Sequence, residues 1–172
     1  MTLHDLNSME QALLRQELLN CCGSKSWAKM MMTFFPADDL AELLEDAEEV
    51  WFELSEDDWK EAFSHHPKIG DRESLENKFA STAHPKTIGW ASDEQIGVSS
   101  ASPELIDALS EANKQYEEKF GYIFIVCATG KSAEEMLGML QLRLRNSPAE
   151  EIKIAADEQN KITKLRIEKL LE

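Results

Sequence analysis

The sequence predicts an all-α fold, a single-domain helical bundle over residues 1–172 whose loop-rich middle segment is expected to form the functional site. Apolar side chains recur at helical spacing along most of the chain. Serine followed by proline, a pattern typical of helix starts, occurs at Ser102-Pro103 and at Ser147-Pro148. Hydrophobic residues make up 42% of the chain, enough for one domain to fold around a core.

The first long helix is predicted to begin after Ser8, because Gln11 three positions later completes a capping-box pattern. Gly23 is expected to end this helix. The helix should then have one apolar face, which carries Leu13, Leu14, Leu18, Leu19 and Cys22.

A second apolar face is predicted in the segment that follows Pro36, and a third after Ser55, where Trp59 and Phe63 are four residues apart. The acidic residues between the apolar positions are most simply explained as a solvated face. The second face carries Leu40, Leu43, Leu44, Ala47 and Trp51.

Three helix starts are predicted in the C-terminal half, at Ser102, Ser132 and Ser147. Glu135 and Glu150 stand three residues after the second and third serine, which completes two capping boxes. The side chains expected to be buried by the three helices are Leu105, Leu109, Ala112 and Tyr116; Met136, Leu137, Leu140 and Leu144; and Ile152, Ala155, Ile162 and Leu165.

Two segments depart from the helical pattern. Residues 64–101 contain two His-Pro pairs, three glycines and many small polar residues, so a loop with short helices is predicted. The apolar run in "FGYIFIVCATGKS", residues 120–132, could form a strand, but no second convincing strand is present to pair with it. This run is therefore predicted to be a buried extended connection or a helix start.

The formal charge of −15 argues against nucleic acid as a partner, because binding to phosphates needs a basic face. An anionic substrate would need a locally basic pocket. No apolar run approaches the length of a membrane span, and the N-terminal "MTLHDLNSMEQ" does not resemble a signal peptide. A cytoplasmic protein that does not bind membranes is expected.

The three cysteines, Cys21, Cys22 and Cys127, are predicted to be reduced and packed, because their number is odd and two are neighbours. Neither of the zinc-binding patterns C-x-x-C and H-E-x-x-H occurs. The histidines near Asp71 are not joined by further candidate ligands at a suitable spacing, so no metal site is predicted. "ATGKS" lacks the first glycine of a phosphate-binding loop, since position 125 is Ile125.

Two histidines share one local pattern, His66 in "SHHPKIGD" and His84 in "AHPKTIGW". Proline keeps the preceding residue out of the helical region, which could present either imidazole at the end of a helix for proton transfer. A capping or hydrogen-bonding histidine in a turn is the alternative for both, and local sequence does not rank them. His65 is expected to be exposed.

Two further features could bind a polar ligand. Glu94 and Gln95, a carboxylate beside an amide, could accept from and donate to a urea-like group, although Ser92 and Glu94 also suit a solvated helix start. Arg143 could bind a carboxylate with two parallel hydrogen bonds, although an arginine paired with a nearby acid is the commoner case.

The order of five blocks along the chain is more specific than any one of them. The blocks are "CCGSKSWAKMM" (21–31), "DWKEAFSHHPKIGD" (58–71), "EQIGV" (94–98), "YEEKFGYIFIVCATGKSAEEML" (116–137) and "RLRN" (143–146). In this order the chain resembles the 2-oxo-4-hydroxy-4-carboxy-5-ureidoimidazoline (OHCU) decarboxylase family, over roughly residues 5 to 171. Enzymes of this family catalyse the last step from urate to allantoin.

The resemblance implies an all-helical decarboxylase without a cofactor, often a homodimer, acting on a small anionic ureidoimidazoline. It implies His66 and Glu94 as catalytic residues. It implies substrate contacts from Pro67, Ala91, Ser92, Gln95, Gly121, Tyr122, Ile123, Phe124 and Arg143.

Two positions in this chain weaken or limit the resemblance. Ala91 stands where the family often has serine, so Ser92 next door could replace that contact. The segment around His84 varies within the family, and His84 is therefore interpreted as part of a turn. A non-enzymatic helical interaction domain, or a decarboxylase of a related ureido compound, stays as an alternative.

Overall fold

A computed structural model describes residues 1–70, 89–90, 93–94, 96–98 and 100–172. These ranges contain α-helices and short 3₁₀ helices but no β-strand, which confirms the all-α prediction. None of the helices in them combines the length and apolar composition needed to cross a bilayer. The α-helices are α1 Leu3–Asn7, α2 Gln11–Cys22, α3 Lys25–Met31, α4 Leu40–Glu53, α5 Glu56–Ser64, α6 Pro103–Phe120, α7 Ala133–Arg143 and α8 Pro148–Leu170.

The chain divides into two compact units. Unit 1 comprises Met1–Ala62 and Gln159–Glu172, and unit 2 comprises Phe63–Glu158. The expectation that residues 1–172 form a single domain stays a prediction.

Unit 1 is organised around α3, which contacts both α2 and α4. Ser24 caps α3 by accepting a hydrogen bond from the Trp27 amide at 3.2 Å. The Trp27 side chain is fully buried, and its indole N–H donates to the Ala47 carbonyl of α4 at 3.0 Å. A buried tryptophan needs such a partner for its one polar atom, so this bond fixes α3 against α4.

All three cysteines are buried and none forms a disulfide, as predicted. In unit 1, burial raises the pKa of the Cys22 thiol to about 12. Cys22 is therefore an unreactive packing residue at neutral pH.

Two details of α2 were predicted wrongly. Ser8 ends α1, and α2 begins at Gln11 after Glu10, which makes no side-chain capping bond. Leu13 is 57% exposed, because the buried stripe follows the i, i+4, i+7 and i+8 positions that start at Leu14. Helical spacing is compatible with either Leu13 or Leu14 in the buried stripe, and in the fold it is Leu14 that is buried.

The helix starts of unit 2 agree with the sequence. The Ser102 hydroxyl accepts from the Leu105 amide at 3.3 Å, and Ser132 forms a complete capping box with Glu135. Ser147 and Glu150 bond to each other in the same way at the start of α8. Of the side chains predicted to be buried here and in the later turns of α8, Leu105, Leu137, Leu144 and Leu165 are only half-buried.

The segment between α6 and α7 is buried without being a helix or a strand. All side chains from Tyr122 to Ala128 are buried, and α6, which precedes them, packs against α7, which follows. The segment is buried and contains no strand, so both parts of the prediction of a buried connection are confirmed.

Candidate active site

His66 lies in a turn directly after α5. The helix ends at Ser64, and the His66 amide donates to the Phe63 carbonyl at 3.2 Å. The His66 side chain is 6% exposed and Pro67 is also buried, whereas His65 is exposed as predicted. The structure therefore places this imidazole at the end of a helix and shields it from bulk water.

Two residues of α6 hold the chain that follows His66. The amide of Asn113 donates to the Ile69 carbonyl at 3.2 Å, and this asparagine is buried. Lys68 forms a half-exposed ion pair with Glu117 at 2.8 Å. The buried bond should restrain the turn more than the surface pair, which water screens.

The turn also meets the 3₁₀ helix Ile96–Val98, which follows Glu94. Gly70 has φ +78°, a conformation that favours glycine. A Cβ atom placed on it would lie 3.5 Å from Cγ1 of Val98. Gly70 after the histidine turn and Val98 after Glu94 are thus neighbours in the fold.

Glu94 is half-buried and stands three residues before Gly97, which packs against Lys131 shortly after the irregular segment. The pKa of the Cys127 thiol is raised chiefly by burial, and the negative charges of Glu158 and Glu94 add to this effect. The packing at Gly97 is close, since a Cβ atom on Gly97 would collide with the Lys131 carbonyl oxygen.

The predicted substrate-contact segment starts beside the histidine turn. Gly121 ends α6 and is exposed, while Tyr122, Ile123 and Phe124 are buried. The Tyr122 ring lies 5.2 Å from that of Phe63, three residues before His66. In unit 2, chain neighbours of His66 therefore contact Tyr122 and the 3₁₀ helix that follows Glu94.

Arg143 is buried and binds protein groups. Its Nε donates to Oε1 of Glu151 at 2.6 Å, and one terminal nitrogen donates to the Ile125 carbonyl at 2.6 Å. The guanidinium group also stands 4.5 Å from the centre of the Phe124 ring, within range of a cation–π interaction. The arginine is paired with an acid, although in the interior and not on the surface. Its contact with substrate stays a prediction.

Tyr116 and Asn146 complete the bonding of Glu151. The Tyr116 hydroxyl donates to Oε1 at 2.6 Å, and the Asn146 amide donates to Oε2 at 2.9 Å. Burial, with a smaller contribution from Glu151, raises the pKa of Tyr116, so the hydroxyl keeps the proton it donates. Both oxygens of this fully buried carboxylate are therefore satisfied.

Sequence reasoning missed Glu151 and Glu158. Oε2 of Glu158, also buried, accepts a hydrogen bond from the Cys127 amide at 2.7 Å. The two acids lie seven positions apart, on the helix face that also carries Ala155. Acidic residues at this spacing on an apolar face were the signal that could have identified them.

Several predicted residues lie outside the described part of the chain. They are the substrate-contact candidates Ala91, Ser92 and Gln95, together with His84 and Asp71. Among the residues that are described, no group of three or more His, Cys, Asp or Glu side chains is arranged to hold a metal ion.

Comparisons with known proteins agree with this architecture. The model of the OHCU decarboxylase family matches residues 7–168. The uric acid degradation bifunctional protein TTL of Arabidopsis thaliana is 40% identical over 153 residues, which cover 87% of this chain and 45% of that protein. A 2-oxo-4-hydroxy-4-carboxy-5-ureidoimidazoline decarboxylase of Amia calva is 39% identical over 64 residues, 37% of either chain. The chain thus spans less than half the length of these two relatives.

Two solved structures share the fold. A crystal structure of an OHCU decarboxylase in the presence of (S)-allantoin has a TM-score of 0.72 and 38% identity, covering 91% of this chain and 97% of that one. A crystal structure of an (S)-allantoin synthase also has a TM-score of 0.72, at 17% identity over 98% of this chain and 54% of that one. Because only 17% of the residues are identical, the likeness to the second structure shows a shared fold alone.

The family-model match and the likeness to a solved OHCU decarboxylase favour an enzyme over the alternative of an interaction domain. The chain belongs to the OHCU decarboxylase family, because the family model matches nearly its whole length. The resemblance of the five sequence blocks is thereby confirmed.

Gly97→Ala tests the packing between the Glu94 segment and Lys131. The added methyl group meets a backbone carbonyl that has little room to move, so we expect the free energy of unfolding to fall by about 1–3 kcal/mol. Gly138→Ala in α7 is the control, since nothing lies within 4 Å of its Cβ position and alanine should stabilise the helix by about 0.5–1 kcal/mol. Urea unfolding measures both, and equal effects would contradict the close approach.

Arg143→Met tests the buried ion pair. Because Glu151 would keep a buried charge without its cation, we expect the free energy of unfolding to fall by about 3–5 kcal/mol. The matched control is Arg145→Met at an exposed position, where a change within about 0.5 kcal/mol is expected. Adding Glu151→Met to Arg143→Met should cost less than the sum of the single changes. Urea unfolding with similar losses for Arg143→Met and Arg145→Met would refute this account.

Proposed function

We propose that the chain decarboxylates 2-oxo-4-hydroxy-4-carboxy-5-ureidoimidazoline to (S)-allantoin and carbon dioxide, as a carboxy-lyase of urate degradation. The observation that carries this proposal is the likeness to the solved OHCU decarboxylase, which spans 97% of that chain at 38% identity. The contacts that chain neighbours of His66 make with Tyr122 and with the 3₁₀ helix after Glu94 support it.

The chemistry is within reach of side chains alone. Breaking the bond to the carboxylate leaves an electron pair on a ring carbon, and the adjacent carbon–nitrogen double bond of the substrate takes up that pair. The substrate therefore supplies the electron sink for which other decarboxylases use a cofactor. The protein must orient the carboxylate, stabilise the developing charge and deliver one proton to one face of the ring.

His66 is the proposed acid–base group. Imidazole titrates near neutral pH, and a shielded position at the end of α5 limits proton exchange with bulk water. Glu94 is the proposed partner that orients the ligand. Both side chains stand on short segments beside helices, which restrict the directions in which they can move.

Substrate binding is assigned to residues around these two. We propose that Gln95, together with Glu94, binds the polar edge of the ligand and that Pro67, Ala91 and Ser92 are further substrate contacts. The backbone of Gly121, Tyr122, Ile123 and Phe124 is proposed to line the site. Arg143 is the remaining proposed contact, and its guanidinium group stands beside Phe124 while it is paired with Glu151.

The proposal extends to assembly and location. A homodimer in the cytoplasm is expected from the family resemblance and from the composition of the chain. Both can be checked by light scattering and by fractionation of cells.

The activity is tested by adding the protein to freshly generated substrate and following carbon dioxide release and optical rotation. Because spontaneous decarboxylation yields a racemic product, fast formation of enantiomerically pure (S)-allantoin is the expected result. A racemic product at the spontaneous rate would overturn the proposal. Turnover of a related ureido compound in preference to this one would reassign the substrate.

His66→Asn and Glu94→Gln test the assigned side chains. A lost acid–base group should lower kcat by about 10²–10⁴-fold for His66→Asn, and Glu94→Gln should also reduce turnover severely. The helical circular dichroism spectrum should not change for either variant.

His65→Asn, at the exposed neighbouring position, and His84→Ala are the controls. Both should keep wild-type kcat, since the family resemblance assigns a role to neither histidine. Near-normal turnover in His66→Asn would remove His66 from the mechanism.

A further inference from the structure

Two buried carboxylates on one face of α8 hold the irregular segment that follows Tyr122. Glu151 is 0% exposed and Glu158 is 6% exposed. Seven residues of helix separate them by about two turns, or about 10 Å along the axis. Burying a carboxylate costs free energy unless the group is paired or hydrogen-bonded. The contacts of these two acids therefore indicate what they do.

Both acids act on peptide groups of that segment. Glu158 accepts directly from the Cys127 amide at 2.7 Å. Glu151 binds Arg143, whose other nitrogen donates to the Ile125 carbonyl at 2.6 Å. Since buried backbone groups must be satisfied, these side chains take the place that a neighbouring strand would occupy in a sheet.

The peptide group at Cys127 is linked through Lys131 to the segment that follows Glu94. Gly97, three residues after Glu94, packs closely against the Lys131 carbonyl group. The Lys131 ammonium group in turn donates to the Cys127 carbonyl at 2.6 Å. Movement at Cys127 would therefore be passed through Lys131 to the segment that follows the proposed catalytic side chain Glu94.

We propose that Glu158 is a positioning residue for the decarboxylation, because its hydrogen bond to Cys127 fixes the segment that carries the proposed substrate contacts and is linked through Lys131 to the chain after Glu94. Glu158 acts through Cys127 and does not touch the substrate. This inference rests on the proposed function.

The main variants are Glu158→Ala, which removes the hydrogen-bond acceptor, and Glu158→Gln, which keeps an acceptor oxygen and removes the charge. Asp157→Ala, exposed on the same helix, is the matched control. Because misplacement of about 1 Å can cost roughly 10²-fold in rate, we expect kcat per folded molecule to fall about 10- to 100-fold in Glu158→Ala. We expect Glu158→Gln and Asp157→Ala to keep most of the wild-type kcat.

The stereochemistry of the product separates positioning from stability. A role in stability alone would change the folded fraction and leave both kcat per folded molecule and product chirality unaltered. The proposal instead predicts less enantiomeric excess of (S)-allantoin from Glu158→Ala after the spontaneous racemic background is subtracted. Wild-type kcat and chirality in folded Glu158→Ala would overturn it.

A second measurement needs no substrate. Because the Cys127 thiol is buried, iodoacetamide can alkylate it only when the segment opens locally. The alkylation rate, measured by mass spectrometry of the Cys127 peptide, therefore reports that opening. We expect alkylation to accelerate roughly tenfold or more in Glu158→Ala. Removing the negative charge of Glu158 also favours the reactive thiolate form of Cys127. Glu158→Gln removes the charge but keeps a hydrogen-bond acceptor, so it measures this electrostatic effect alone. Equal acceleration in both variants would overturn the proposed hydrogen-bond role.

Lys131→Met keeps the proposal testable if Glu158→Ala does not fold. Lys131 is only half-buried and holds the Cys127 carbonyl, so its loss should lower kcat and speed alkylation of Cys127 by a smaller factor. Unchanged values of both would count against positioning at Cys127. A wild-type chain without decarboxylase activity would instead overturn the proposed function itself, whereas the alkylation rates do not depend on it.

Discussion

The organisation of unit 2 depends on one constraint, which is that a buried run of backbone lies where the described residues contain no strand to pair with it. Segment 122–128 buries its apolar side chains, and its peptide groups need partners inside the protein. The Arg143–Glu151 pair and Glu158 supply two of them. Removing any of these side chains would leave a polar group or a charge unpaired in the interior, which explains why acids stand on an apolar face of α8.

The same constraint gives the proposed site its rigidity. The end of α5, just before the histidine turn, meets the segment at Tyr122. The chain after Glu94 packs closely against Lys131, which itself binds the Cys127 carbonyl. Catalysis by positioned charges requires groups that are already in place before the substrate reacts. A segment fixed by charged side chains meets this requirement, since its hydrogen bonds are stronger than those between neutral groups.

Features that depend on a few neighbouring residues were predictable. Ser102, Ser132 and Ser147 cap helices as expected, because a capping bond involves residues only three positions apart. Leu13 was misplaced because helical spacing alone does not choose between adjacent positions at the edge of a stripe. Arg143 was recognised as a candidate, but its partner Glu151 could not be assigned, since many acids in this acidic chain were equally plausible.

By itself, the sequence determined the all-α class, the helix starts at Ser102, Ser132 and Ser147, the buried connection after α6 and, through five ordered blocks, the family. Tertiary structure decided that chain neighbours of His66 contact Tyr122 and the 3₁₀ helix after Glu94, although 28 positions separate His66 from Glu94 and Glu94 from Tyr122. It also decided that Arg143 binds Ile125 and Glu151. The physical reason is that local patterns encode hydrogen bonds within a turn of helix, whereas the pairing of distant polar groups depends on which of them packing removes from water.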